Sequence, residues 1–208
     1  MSQPTRILGL DPGLQVTGYA VLEASDTGPR VCEAGVIRPA AGRATADLAT
    51  RVHTLYDGLC EILDQYSPTV LAVEQLYTHY DHPRTAILMA HARGVFLLAG
   101  AQRRLPVVSY AAAKVKKLVT GSGRAGKEQM QQAVARELGL AAPPEPHDVA
   151  DALAVALCHY FASRRGPMGG KLGATFTGVN RDALLRPDPH HPSEDHPSED
   201  HPSEDDAA

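Results

Sequence analysis

The 208-residue chain has few cysteines, and their spacing does not form a recognisable site. Cys32, Cys60 and Cys158 are odd in number and scattered, with no CxxC pair among them. This spacing argues against a disulfide framework or a zinc site, and it predicts a reducing compartment. No apolar run is long enough to span a bilayer, and the first residues do not resemble a signal peptide. We therefore expect a cytoplasmic protein with no membrane partner.

Charge is unevenly distributed along the chain. The net charge is −4, but residues 187–208 contain eight acidic residues and no lysine or arginine. The body, 1–186, therefore holds 16 of the 24 acidic residues against all 20 basic ones. The sequence HPSED occurs three times in 191–205 and offers no large apolar side chain, so we predict a disordered acidic tail over 187–208 after a flexible extension, 166–186. Metal capture or mimicry of nucleic-acid charge by this tail stays open.

An apolar strand followed by a tight turn opens the body. Residues 7–10 predict a strand that is buried on both faces and ends at Asp11. Pro12 and Gly13 turn the chain, and 16–22 and 31–37 predict two more strands in an antiparallel meander. A carboxylate at the end of a buried strand requires a hydrogen bond, a counter-charge or a metal. The alternative is that Asp11 only caps the turn.

Helical and apolar patterns alternate in the rest of the body. We predict helices over about 45–66, 84–104 and 127–138, strands over 69–73 and 106–110, and a final helix from His147. A strand that follows a crossover helix generally lies parallel to an earlier strand, so Glu74 should meet Asp11 where both strands end. The residues of helix 84–104 available to the core are Ile87, Met89, Ala90, Val95, Leu97 and Leu98.

Two further carboxylates open the last helix. Asp148 and Asp151 are three residues apart and therefore share one face of its first turn. The helix dipole alone favours acidic residues there. With Asp11 and Glu74 they would form an all-oxygen cluster, which suits Mg²⁺ or Mn²⁺ better than zinc. His147 is a candidate ligand, general base or cap.

The densest basic segment precedes that helix. Lys114, Lys116 and Lys117 are followed by the glycine-rich stretch 121–127, which carries Arg124 and Lys127. Glycines around basic side chains allow close approach to a phosphate backbone. The alternative is an ordinary solvated helix face.

Five blocks, in order, resemble the RuvC family of Holliday junction resolvases: GLDPGLQVTGYAV, VLAVEQLY, ARGV, YAAAKVKKLVTGSGRAGK and DVADALAVAL. The resemblance implies a nuclease domain over 1–165 with a ribonuclease-H-like α/β fold. Its five-stranded mixed sheet would have strands 1–3 antiparallel and strands 4–5 parallel, with helices on both faces. The resemblance also implies a homodimer that makes paired nicks in a four-way DNA junction during recombination and repair. Two Mg²⁺ or Mn²⁺ ions per site would support hydrolysis to 5′-phosphate ends, and association with the branch-migration motor of the same pathway is expected.

The same resemblance implies roles for individual residues. The catalytic metal ligands would be Asp11, Glu74, Asp148 and Asp151, with His147 as a neighbouring proton-transfer residue. The DNA contacts would be Tyr77, Lys116 and Lys127, and we add Arg84, Lys114, Lys117 and Arg124 as further candidates. Two other functions remain possible: a non-catalytic junction-binding module, and an actin-like or sugar-kinase-like ATPase that shares the Asp-x-Gly strand.

Overall fold

The computed structural model describes residues 4–39, 47–76 and 83–164. Its strands are β1 Arg6–Asp11, β2 Thr17–Ser25, β3 Gly28–Ile37, β4 Val70–Glu74 and β5 Val107–Tyr110. Its helices are α1 Leu48–Tyr66, α2 Pro83–Gln102, α3 Ala112–Thr120, α4 Lys127–Leu138 and α5 His147–Arg164. The predicted extension and acidic tail, 166–208, lie outside the described residues.

The five strands form one mixed sheet in the order β3-β2-β1-β4-β5. β1 and β2 pair antiparallel, as do β2 and β3, whereas β1 and β4 pair parallel, as do β4 and β5. β1 is therefore the central strand, and its apolar side chains Ile7, Leu8 and Leu10 pack on both sides of the sheet. This topology confirms the predicted five-stranded mixed sheet.

Helices cover both faces of the sheet, as predicted. On one face, α3, α4 and α5 enclose a core with Ile7, and α5 supplies Leu153 and Leu157 to it. On the other face, α1 and α2 enclose a second core with Leu8 and Leu10. Successive residues of β1 thus enter opposite cores, as the two-residue period of a strand requires. In the described ranges, no helix is long and apolar enough to cross a membrane.

The β2–β3 hairpin is tighter than the sequence suggested. β3 begins at Gly28 instead of residue 31, because Asp26 and Thr27 alone make the turn. Gly28 has φ +136°, which strains any residue with a Cβ atom. Pro29 is tolerated in the strand because β3 lies at the edge of the sheet.

The prediction of which α2 residues are buried was partly wrong. Ala92, Phe96 and Ala99 reach the core, whereas Ala90 is exposed and the predicted core residues Ile87 and Leu98 are 58% and 52% exposed. Apolar residues surround this helix almost completely, so a period of 3.6 could not identify the face that packs on the sheet. Met89, Val95 and Leu97 are partly buried, as expected.

Helix α3 was absent from the sequence prediction. It is only nine residues long, and its lysines drew attention to charge instead of periodicity. Val115 and Val119, one turn apart, pack into the core beneath α5, and Gly121 ends the helix with φ +82°. The helix matters because it fixes the direction of its lysines relative to the ends of β4 and β5.

Candidate active site

Asp11 and Glu74 end two neighbouring parallel strands. Leu10 pairs with Val73 in the β1–β4 register, so the two acidic residues follow the last recorded pair directly. Adjacent strands are about 4.8 Å apart. Both side chains are partly buried. The predicted meeting of these carboxylates at the carboxyl end of the sheet is therefore found in the structure.

Helix α5 brings a third carboxylate to the same place. Its most extensive contacts with the sheet are with β1 and β2, and its first turn lies over the start of β2. Asp11, Glu74 and Asp151 line one cavity of about 190 Å³. The same cavity is also lined by Lys116 from α3 and Lys127 from the first turn of α4.

The electrostatics of this cavity are dominated by enclosed negative charge. Burial, reinforced by repulsion from Glu74, Asp151 and Asp148, raises the pKa of Asp11 from 3.8 to about 8. Lys127 opposes this rise. At neutral pH a proton or a cation is therefore favoured beside Asp11.

Glu74 and Asp151 are shifted in the same direction. Burial raises the pKa of Glu74 to about 7, with repulsion from Asp151 adding to the shift and Lys116 opposing it. Burial also raises the pKa of Asp151, and here the charges of Lys127, His147 and Lys116 counteract it. The two lysines thus face the carboxylates as partial counter-charges.

Two sets of hydrogen bonds hold the strand ends that carry the carboxylates. Thr17, which is fully buried, donates from its hydroxyl to the Gly13 carbonyl at 2.7 Å, and the Gly13 N–H donates back at 3.3 Å. This pair closes the loop after Asp11. At the neighbouring strand ends, Arg93 donates to the Glu74 carbonyl at 3.4 Å and to the Ser109 hydroxyl at 2.7 Å. Neither Thr17 nor Arg93 was singled out from the sequence.

The donor chemistry of the cavity fits a hard divalent cation. The ligands available are carboxylate oxygens, which Mg²⁺ and Mn²⁺ prefer, and a cation would relieve the repulsion that raises their pKa values. Across the described ranges, no three His, Cys, Asp or Glu side chains stand close enough to make a ready ligand set. The fit therefore rests on the chemistry of the donors and their shared cavity.

The remaining predicted site residues are more dispersed. Asp148 is partly buried beside the cavity, where its charge acts on Asp11 and Asp151. His147 is exposed at the helix start. The ammonium group of Lys114 lies 5.1 Å from the centroid of the Tyr110 ring instead of lining the cavity. Arg84, Lys117 and Arg124 are exposed and do not line the cavity, and Tyr77 lies outside the described residues.

Comparison with known proteins identifies the family. The family model described as "Crossover junction endodeoxyribonuclease RuvC" matches residues 7–159. The chain belongs to the RuvC family. A RuvC from Rhodopirellula baltica is 51% identical over 160 residues, which cover 76% of this chain and 87% of that protein. One from Moorella thermoacetica is 44% identical over 153 residues, covering 74% and 89%.

Solved structures agree with the sequence comparison. The RuvC of Thermus thermophilus in complex with a Holliday junction substrate superposes with a TM-score of 0.71 at 30% identity, covering 78% of this chain and 96% of that one. The yeast mitochondrial Holliday junction resolvase, at 14% identity and a TM-score of 0.55, shares the fold. The resemblance drawn from the five sequence blocks is thus confirmed, and membership of this nuclease family implies dependence on a divalent metal.

The raised pKa of Asp11 predicts how metal-free stability depends on pH. Between about pH 4 and about pH 8 the folded protein holds a proton on Asp11 that the unfolded chain has lost, so stability falls as the pH rises. Asparagine carries no such proton. In EDTA, Asp11→Asn should therefore gain melting temperature relative to wild type progressively from about pH 4 to about pH 8, and the gain should level off above that range.

Asp26→Asn is the matched control, because Asp26 is exposed in the β2–β3 turn. Its melting temperature should follow the wild-type curve across the same pH range. A difference between Asp11→Asn and wild type that stays constant with pH would contradict the assignment of a buried, repelled carboxylate at Asp11.

Proposed function

We propose that this RuvC-family chain resolves four-way DNA junctions by hydrolysing one phosphodiester bond in each of two opposed strands. The observation that carries the proposal is the cavity itself, in which three partly buried carboxylates face two lysines. A neighbour with this fold is described in complex with a Holliday junction substrate. Carboxylates that served only as caps would be expected at the surface, with ordinary pKa values.

The carboxylates and the lysines of the cavity would bind ligands of opposite charge. Asp11, Glu74 and Asp151, with Asp148 beside them, would bind two divalent ions, Mg²⁺ or Mn²⁺. When bound, such ions activate a water molecule and stabilise the departing 3′ oxygen. The phosphate then stays on the 5′ end of the cleaved strand. His147, exposed next to Asp148, would serve as the neighbouring proton-transfer residue.

The lysines would hold the scissile phosphate against the carboxylates. Lys116 comes from α3 and Lys127 from α4, so two separately anchored helices present positive charge to one cavity. Their charges already act on Glu74, Asp11 and Asp151 without DNA. When a phosphate binds together with the metal ions, these ammonium groups would donate hydrogen bonds to the phosphate oxygens.

Removing one carboxylate should separate binding from cleavage. With a synthetic four-way junction and a matched linear duplex, wild type should nick the junction symmetrically, and only with Mg²⁺ or Mn²⁺ present. Asp11→Asn and Glu74→Gln should bind the junction as wild type does but lose cleavage by several orders of magnitude, because each removes a metal ligand and leaves the two lysines intact. Gel mapping of the nicks and a binding assay in Ca²⁺ measure the two effects.

Asp64→Asn is the control for a lost carboxylate, since Asp64 pairs with Arg103 outside the cavity. It should cleave as wild type does. If Asp11→Asn or Glu74→Gln retains cleavage within about tenfold of wild type, the catalytic assignment is wrong. A wild-type protein that binds junctions and never nicks them would instead support a non-catalytic junction-binding module.

The lysines predict a change in salt dependence. Lys116→Ala and Lys127→Ala should each lower the slope of log affinity against log salt by about one unit, because each removes one phosphate contact. Arg136→Ala, an exposed basic residue of α4 outside the cavity, should leave that slope unchanged. Equal slopes in all four proteins would show that the two lysines make no phosphate contact in the bound complex.

Paired nicks require two sites, and the outer face of α2 is suited to a second copy of the chain. Ile87, Leu88 and Leu98 are 58%, 37% and 52% exposed along this helix. Gly94 lies on the same side with open space where a Cβ would be, so another helix can approach closely. A two-fold axis through this face would bring identical apolar patches together.

Charge on that face should dissociate the proposed dimer. Ile87→Glu and Leu98→Glu should convert a dimer to a monomer in light scattering and abolish simultaneous nicking of opposed strands. Leu48→Glu is the matched control, because Leu48 is 39% exposed at the start of α1. Dimers that persist in both α2 variants would place the subunit interface elsewhere.

A further inference from the structure

Helix α5 approaches the sheet closely at Gly18, beside the carboxylate cluster. Gly18 pairs with Asp11 in the β1–β2 register, so the two lie opposite each other on adjacent strands. A Cβ built on Gly18 would lie 2.5 Å from the carbonyl carbon of Asp148, closer still to its oxygen, and 3.2 Å from its Cβ. The backbone of the first turn of α5 therefore rests on a strand position that has no side chain.

A second contact of the same kind lies deeper along the helix. A Cβ on Gly9 would meet the Ala152 carbonyl oxygen, and it would lie 2.7 Å from the Ala156 nitrogen. The obstacles at both positions are helix backbone, which cannot rotate away as a flexible side chain can. A side chain at Gly18 must therefore increase the distance between β2 and the start of α5 by ~1 Å or more.

We propose that Gly18, supported by Gly9, is a positioning residue that sets the separation between Asp11 and the two carboxylates at the start of α5. This inference rests on the proposed metal-dependent function of the cavity. Asp11 is fixed to the sheet, whereas Asp148 and Asp151 travel with α5. The distance between α5 and β2 at Gly18 therefore sets how close the carboxylates of α5 come to Asp11.

We expect substitution of Gly18 to weaken metal binding more than it impairs folding. Gly18→Ala should weaken Mn²⁺ affinity of the DNA-free protein about tenfold or more, as when a residue that orients metal ligands is changed. The rate of junction cleavage should fall by about 100-fold, because a displacement near 1 Å at reacting groups has effects of that size. Binding of the junction in Ca²⁺ should be retained, since Lys116 and Lys127 belong to α3 and α4.

Gly58→Ala controls for a packing lesion in the core away from the site. Gly58 is in α1, and a Cβ there would lie 2.7 Å from the Ile37 Cγ2 atom on the other face of the sheet. The experiment compares wild type, Gly18→Ala and Gly58→Ala by melting temperature, by calorimetric titration with Mn²⁺ and by single-turnover cleavage. If Gly18→Ala loses no more Mn²⁺ affinity than Gly58→Ala, the proposal is overturned.

Two further outcomes are decisive. If Gly18→Ala shows no cooperative unfolding transition, the same measurements are made on Gly9→Ala, which changes the deeper contact. If neither variant folds, these glycines are required for folding and the proposal is overturned. If wild type binds Mn²⁺ but cuts no junction, the proposed function fails while the titrations still decide the role of Gly18.

Discussion

Repulsion among carboxylates enclosed in one small cavity is the constraint on which the rest of this structure depends. Asp11, Glu74 and Asp151 come from three different elements, and burial together with neighbouring negative charge raises the pKa of each. Such a cluster opposes folding, so packing elsewhere must hold its elements in place. The two cores on either side of β1 do this, because residues 7–10 of the strand that ends at Asp11 are buried between them.

The positive charges of the cavity come from helices and not from the sheet that carries Asp11 and Glu74. Lys116 and Lys127 oppose the pKa shifts of the carboxylates, yet each belongs to a helix with its own hydrophobic anchor. A metal ion and a phosphate bring charges of opposite sign. The metal ion can therefore pair with the carboxylates while the phosphate pairs with the two lysines. Binding of metal and DNA together would then be favoured over binding of either alone.

The sequence was sufficient for the fold and for the meeting of Asp11 and Glu74, since apolar runs, a crossover helix and strand-end carboxylates follow general rules. It failed where the determining contact is tertiary. The loop bond from Thr17 and the contact of Arg93 with the Glu74 carbonyl have no local pattern, and α3 is too short for a strong periodic signal. Gly18 did leave a signal, because an isolated glycine inside a strand often marks close backbone approach.

Helices α2 and α5 show why composition alone could not assign burial. Both are apolar almost all round, but α5 is enclosed between the sheet and the helices α3 and α4, whereas α2 packs on one side only and leaves Ile87 and Leu98 exposed. The proposed second copy of the chain would cover this exposed side of α2. The same helix holds the end of β4 through Arg93, whose guanidinium contacts the Glu74 carbonyl. A second subunit on the outer face of α2 would therefore restrain the element that supports a catalytic carboxylate, and dimerisation would then contribute to the geometry of each site as well as to the number of sites.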